Sequence, residues 1–521
     1  MSKRKHAIEA HFQSGVRLHG AGRLQEAEQV YRQVLAATPG HADSLHMLGM
    51  IASQWGQPEA ALACIDRAIA IRPSAALYHV NRAGLLLSLH RLDAALAAGQ
   101  EALRFKRNLP EAHQVTGHAL SDLGRPEEAI AAYQEALRLN PLLRDGQNDL
   151  ALALREANRL DEAAAALEPA LQRAPGDAQL AGNLAGILKD LGRLDAAETL
   201  YRDILRRQPD SAAAHFNLGV ALLTGGRFAE GWREWEWRFR AEPATERQFD
   251  RPRWQGEALE GRTLLVHAEQ GIGDMLQFCR FVPLAARGGR LVLEVHRPLV
   301  RLLEQLPGVT QVVALGDPLP PFDRQCPALS LPYVLGMTDE RDIPPVMPYL
   351  RPDASRMERW ARRVGGLDGR RVGLVWAGNP ERMRMDRRRS IAPDRLAGLR
   401  NVPGIALVSL QKGPASAALA GSELGASVHD WTDELEDFAD TAALVATLDL
   451  VIGVDTAVVH LAGALGKPVW LLNRFDTCWR WQRERDDSPW YPTLRQFRQP
   501  GPGDWDCVIV GVRNALINRA A

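Results

Sequence analysis

The sequence predicts two architectures in one chain: an α-helical repeat solenoid, followed by a pair of doubly wound α/β domains. Small residues and prolines recur every 34 residues through the first half. Short apolar runs alternate with helical spacing through the second half. The stretch Leu264-Leu265-Val266-His267-Ala268-Glu269-Gln270-Gly271-Ile272-Gly273-Asp274 marks where one pattern gives way to the other.

The repeats are read from four grids in one register. Gly22, Gly56, Gly124, Gly192 and Gly226 share the first, with His90 and Asn158 in its gaps. Ala27, Ala61, Ala95, Ala129, Ala163 and Ala197 form the second. Pro39, Pro73, Pro141, Pro175 and Pro209 form the third, interrupted at Arg107. Gly15, Gly49, Ala83, Gly117, Ala151, Ala185 and Gly219 form the fourth. A small residue in a first helix and an alanine in a second let the two approach closely. Glycine or asparagine suits the turn between them, and a proline stops the second helix. Such a unit resembles the tetratricopeptide repeat. Six copies cover about residues 8–209, and a seventh runs to about Phe239. Its second helix carries Trp232, Trp235 and Trp237, as a cap that docks the array onto the next domain.

A further register bears on binding. Gln13, Asn81, Asp149, Asn183 and Asn217 share one position of the first helix, with Met47 and Val115 as exceptions. An amide there pairs with both N–H and C=O of an extended peptide, so these residues are candidates to line a peptide groove. The plainer alternative is a row of solvated polar positions.

Composition bounds the rest. At 521 residues the chain exceeds one ordinary domain, and 46% apolar with 24% charged residues is globular usage. Zero formal net charge offers no footing for a nucleic-acid or anionic-membrane partner. Cys64, Cys279, Cys326, Cys478 and Cys507 are scattered without metal-ligand spacing, as expected of reduced thiols. No 7–15-residue apolar run follows the basic N-terminus, and no segment approaches about 20 apolar residues. A cytoplasmic location without membrane insertion is the expectation.

The expected domains are a repeat array over 1–239, a polar, proline-bearing linker over 240–260, and α/β halves over 261–350 and 351–521. Strands are predicted at Thr263–His267, Leu291–Val295 and Gln311–Leu315, then at Val372–Trp376, Ile405–Leu410, Leu450–Val454 and Val469–Leu472. Helices are predicted at Asp274–Ala286, Pro298–Leu306, Ala354–Val364, Ala392–Leu399, Asp440–Leu448 and Thr456–Leu465. Open sheets of this kind keep their ligands at the carboxyl ends of the strands.

Three strand ends carry chemistry. Gly271 and Gly273 let the backbone turn sharply after the first strand. Asp274 then either caps the next helix or presents a catalytic carboxylate. After Leu450–Val454 comes Asp455-Thr456-Ala457-Val458-Val459-His460, where the N–H groups at Thr456–Val458 face an anion such as a diphosphate. Asp455 is placed to cap that helix or hold a ribose hydroxyl, and His460 lies one turn in. Gln411-Lys412-Gly413 follows a third strand, with Lys412 within reach of a phosphate. The loop from Gly378 to Ser390 carries Arg382, Arg384, Arg387, Arg388 and Arg389, either a solvated basic run or a diphosphate clamp.

Gly271-Ile272-Gly273-Asp274 followed by Asp455-Thr456-Ala457 and His460-Leu461-Ala462 resembles the heptosyltransferase-type glycosyltransferases of family 9, which have the GT-B fold. The nearest architecture is the group in which that domain trails tetratricopeptide repeats, including flagellin-modifying transferases. The Trp479-Arg480-Trp481 and Trp490-Tyr491-Pro492 stretches are similar as well. The resemblance implies an inverting, metal-independent transfer from a nucleotide-activated sugar, with no cofactor beyond that donor substrate. It implies Asp274 as the base and Asp455–His460 as the donor-phosphate site, to which Lys412, Gln411, Arg389 and Ser390 are added as candidates. Two departures stand out: heptosyltransferases proper lack the repeats, and arginines replace their usual lysine in the Ala377–Ile391 loop. A protein acceptor in the repeat groove is the resulting expectation. A repeat scaffold with a degenerate α/β half, and a glycan-modifying enzyme, are the alternatives.

Overall fold

A computed structural model describes residues 2–143, 145–243, 246–378 and 388–520, with side chains from 5 to 518. The chain forms a tetratricopeptide-repeat solenoid followed by an α/β region built on two parallel sheets. By Cα proximity it divides into two compact units, Met1–Ile187 and Leu188–Ala521. The division falls inside the sixth repeat, so the last turn of that repeat's first helix, its second helix and all of repeat seven group with the α/β region.

Among the described residues seven helix pairs make the repeats: Ser2–Gly20 with Leu24–Ala37, Ala42–Gln54 with Pro58–Ile71, Ala76–Ser88 with Leu92–Phe105, Pro110–Asp122 with Pro126–Leu139, Gly146–Glu156 with Leu160–Arg173, Ala178–Asp190 with Leu194–Arg207, and Ala212–Thr224 with Phe228–Trp235. Every residue of the turn grid is left-handed, His90 and Asn158 included, with φ from 55° to 80°. The small-residue grid marks close helix approach: a Cβ on Gly49 would lie 2.8 Å from Ile65 Cγ1, and one on Gly219 2.8 Å from the Trp235 nitrogen.

Within the first unit the candidate groove positions are already engaged. Asn81 Nδ2 lies 2.6 Å from His46 Nε2, Gln114 donates to Asp149 at 2.7 Å, and Asn183 donates to Asn148 at 2.5 Å. Each bond joins the first helices of successive repeats, so this register forms a ladder between repeats. Gln13 bonds Glu9 in its own helix. Asn217, in the second unit, is exposed.

In the α/β region β1 (Thr263–His267), β2 (Arg290–Val295), β3 (Gln311–Ala314) and β4 (Arg324–Pro327) form one sheet in the order β3-β2-β1-β4. β5 (Arg370–Val375), β6 (Ile405–Ser409), β7 (Val428–His429), β8 (Leu450–Val454), β9 (Val469–Asn473) and β10 (Leu494–Arg498) form the other, ordered β10-β9-β8-β5-β6-β7. All pairings are parallel. The second order is the 3-2-1-4-5-6 of dinucleotide-binding folds read from its first strand.

Several expectations are corrected. β4, β7 and β10 carry no apolar run and are absent from the predicted strands. The expected Asp274–Ala286 helix starts at Ile272, stops at Phe278, tightens to a 3-10 turn over Cys279–Phe281, and resumes over Val282–Ala285. Pro283, which lacks an N–H, sits just past the tight turn. Pro393–Leu399 is a 3-10 helix, and Pro298–Leu306 reduces to a 3-10 turn and the short helix Val300–Leu303.

Two buried histidines give the fold an acid limit. His46 stacks on Tyr78 with centroids 4.6 Å apart; His267, on β1, bonds Gln325 at 3.1 Å. Burial pushes both down to about 4 from 6.5. A folded value below the unfolded one means that the unfolded chain binds more protons. The stability is therefore complete above about pH 6.5 and lost as pH falls toward 4, by up to about 3 kcal/mol per histidine. Melting temperature is expected to be flat above that range and to fall within it. His46→Leu should remove part of the slope, and an unchanged profile would contradict this account.

Candidate active site where two helix termini meet

Strand order reverses between β1 and β4 in one sheet and between β5 and β8 in the other, and open α/β sheets bind ligands at such reversals. Asp274 follows β1, Asp455 follows β8, and Arg388 and Arg389 follow β5. Topology therefore delivers the candidate residues to both reversal points.

The Ile272–Phe278 and Ala457–Ala464 helices meet at their N-termini. A Cβ on Gly273 would lie 2.9 Å from His460 Cδ2 and 3.5 Å from Ala457 Cα. Only a residue without a side chain lets the two ends come this close. Gly271 is the N-cap and Asp274 the third helical residue, so the aspartate is not itself the N-cap. Its Oδ2 nevertheless accepts the Gly271 N–H at 2.8 Å, half of a capping box. Its Oδ1 accepts from the Arg480 guanidinium, which also donates to Gln277 at 2.7 Å. Arg480 is buried; burial disfavours its charge, but Asp274, then Cys478 and Asp455, outweigh this and raise its pKa.

Asp455 stands 3.6 Å from His460 Nε2 and 4.0 Å from Arg389 Nη1. Burial alone would push its carboxyl up. The nearby His460 ring and the Arg389 and Arg480 charges overcome that, holding it well below the usual carboxylate range. His460 is buried, bonds the Tyr491 hydroxyl at 2.9 Å through Nδ1 and stacks on Trp481 at 5.2 Å. Thr456, not Asp455, is the N-cap, and its carbonyl accepts the Val459 and His460 N–H groups. Helix geometry leaves the N–H groups of Ala457 and Val458 without an intrahelical acceptor.

The remaining candidates are divided. Gln411 is buried and joins strand ends: Oε1 accepts from Trp376 N at 3.0 Å and Ala377 N at 2.8 Å, and Nε2 donates to the Lys412 carbonyl. Ser390 closes its loop by accepting the Gly378 N–H at 3.1 Å. Lys412 is exposed and its ammonium donates to the Leu435 carbonyl. Arg382, Arg384 and Arg387 lie outside the described residues. Sequence reasoning misses Arg480, Gln277 and Tyr491 as site residues. Arg480 sits 206 positions from its partner Asp274, and only its place between two tryptophans sets it apart.

The fold is a tetratricopeptide-repeat solenoid followed by an α/β region, and part of that region is similar to the heptosyltransferase-type glycosyltransferases. Tetratricopeptide-repeat models match residues 18–83, 154–223 and 115–178. The model of glycosyltransferase family 9 (heptosyltransferase) matches residues 436–472, the segment holding β8 and the His460 helix. Protein FlbA of Caulobacter vibrioides is 30% identical over 347 residues, which are 59% of this chain and 55% of FlbA. The chain thus spans about half the length of that curated relative. Among solved structures, Pseudomonas aeruginosa pilF is similar over 41% of this chain and 96% of its own, with a TM-score of 0.37 and 20% identity. A tetratricopeptide-repeat protein from Parabacteroides merdae is similar over 47% of this chain and 95% of its own, with a TM-score of 0.39 and 17% identity. Among the described residues no helix is long and apolar enough to cross a membrane.

Proposed function

We propose that the chain is an inverting, metal-independent glycosyltransferase that moves a sugar from a nucleotide-activated donor to a hydroxyl of a protein. The repeats present that acceptor as an extended peptide. The observation that carries this is the meeting of Asp274 with the Asp455–His460 segment across two helix N-termini. One side offers a carboxylate to an incoming hydroxyl, and the other offers N–H groups and cations to a departing phosphate.

In the proposed step Asp274 takes the proton of the acceptor hydroxyl, and the oxygen forms its bond to the anomeric carbon from the face opposite the phosphate. The carbon–oxygen bond to the nucleotide breaks as the new one forms. The electron pair leaves on the phosphate, which the His460 helix terminus and Arg389 stabilise. The catalytic carboxylate lies on one sheet's reversal point and the phosphate site on the other's, which suits an in-line displacement.

A second reading has one observation in its favour. Both Asp274 oxygens are engaged, by Arg480 and by the Gly271 N–H, as in a scaffold whose α/β half holds a nucleotide without turnover.

The test is thermal-shift binding of UDP, GDP, ADP, CMP and their sugars, followed by transfer with the donor class that binds. Stabilisation by one nucleotide, with label appearing on a co-purified or peptide acceptor, supports the enzyme. Binding without transfer or hydrolysis favours the scaffold. Removing residues 1–175 should abolish protein modification while donor binding persists. Transfer to a glycan that survives the deletion would favour a glycan-modifying enzyme instead.

A further inference from the structure

We propose that Arg474 is an additional phosphate-binding residue of this site, reached from β9 rather than from the motifs at β1 and β8. The proposal rests on the donor-site reading above. β8 and β9 pair in parallel with Val454 opposite Leu472. Thr456 and Arg474 each lie two residues past that pair, so both follow the carboxyl ends of adjacent strands.

Both residues hold polar atoms that the fold leaves unused. Arg474 is 8% exposed, yet its Nη1 finds no hydrogen-bond partner among the described residues; nor does the buried Thr456 Oγ1. Buried polar atoms are rarely left so. A guanidinium carries only donors, so the group that completes it has to be an acceptor, and its charge selects an anion. The adjacent terminus of the Ala457–Ala464 helix has the same preference.

Among the described residues the ion pair of Arg474 is made through Nε. Its Nε lies 3.6 Å from Asp476 Oδ1, too long for a hydrogen bond, while Asp476 Oδ2 forms an ion pair with Arg388 Nη2 at 2.8 Å. Arg388 arrives from β5 and Arg474 from β9. β8 lies between those strands, and Arg388 also stands 4.0 Å from Asp190 Oδ2 of repeat six. Asp455 is held separately by His460 and Arg389. The ligand chemistry that fits a hydroxyl, helix N–H groups and an arginine edge is a phosphoryl group of a nucleoside diphosphate.

The test is titration calorimetry on the full chain with inorganic pyrophosphate and with UDP, GDP and ADP. Arg474→Gln is expected to weaken the tightest binder by about tenfold or more, the loss of a charge-assisted hydrogen bond. Arg474→Lys, which keeps the charge but not the fork, should fall between. Asp476→Asn removes a competing carboxylate and should leave binding equal or tighter. Two results overturn the proposal: Arg474→Gln binding within twofold of wild type, or Asp476→Asn copying its loss, which would make the two a structural pair. Should Arg474→Gln fail to fold, judged by circular dichroism, Arg474→Lys decides, and wild-type affinity there counts against it. A wild-type chain that binds none of the four ligands would remove the donor-site reading itself, and this proposal with it.

Discussion

Asp274→Asn is expected to lower transfer by about 10²- to 10⁴-fold while nucleotide affinity stays within a few-fold of wild type. Asparagine preserves shape and can still accept the Gly271 N–H, so the helix start survives. It cannot take a proton from a hydroxyl. It also deprives the buried Arg480 of its charge partner, and breaking a buried pair costs as much as 3–5 kcal/mol. Melting curves therefore have to accompany the rates. Single-turnover transfer at saturating donor, beside nucleotide binding, separates the two effects. A variant that folds, binds and keeps more than about a tenth of the rate would remove Asp274 from the role of base.

A chain beginning at residue 176 should fold, and one beginning at 240 should not. The difference is repeats six and seven. Trp232 of repeat seven is fully buried against Trp479, Phe278 and Trp490, with ring centroids 5.3, 6.0 and 6.5 Å away. Arg238, on the short Arg238–Ala241 helix, bonds Glu269 at 2.9 and 3.0 Å, Glu236 at 2.7 Å and Ser330 at 2.7 Å, all out of solvent or nearly so. The inter-helix turn of repeat six is filled in turn: the Arg483 side chain occupies the space of a Cβ on Gly192, and its Nη1 bonds the Asp190 carbonyl at 3.2 Å. Losing a buried Trp side chain costs about 3–5 kcal/mol, and stranding Glu269 costs a similar amount. Together these approach the 5–15 kcal/mol that holds a typical domain folded. Near-ultraviolet circular dichroism and urea denaturation check this, and a cooperative transition in the 240–521 chain would refute it.

The repeats were legible because their grids have local causes. Each turn residue needs a positive φ, and each small residue faces a helix, so 34-residue spacing reports geometry directly. β1, β5, β6, β8 and β9 were legible as apolar runs because both faces of a parallel sheet are buried. β4 and β10 read as Arg-Gln-Cys-Pro and Leu-Arg-Gln-Phe-Arg and were hidden, since edge strands bury only part of their surface. Asp274, Gly273, Asp455 and His460 could be named as candidates because each sits beside a strand end. Arg480 and Tyr491 could not, because their partners Asp274 and His460 come from other elements. No pattern within a window of sequence encodes such a pair. Lys412 was named because a strand-end lysine has the right chemistry, and in the structure its ammonium donates to the Leu435 carbonyl.

The aromatic knot around Trp232 also gives the molecule an optical readout. Phe278 follows Asp274 by one turn of helix, Trp479 adjoins Arg480, and Trp490 adjoins Tyr491. The ring of repeat seven therefore touches a neighbour of each of these three site residues. The indole N–H groups of Trp232, Trp235 and Trp490 are buried without a hydrogen-bond partner among the described residues, a setting that favours short-wavelength emission. A shift of that emission to the red would register loosening around the site before any chemistry is assayed, with no added dye.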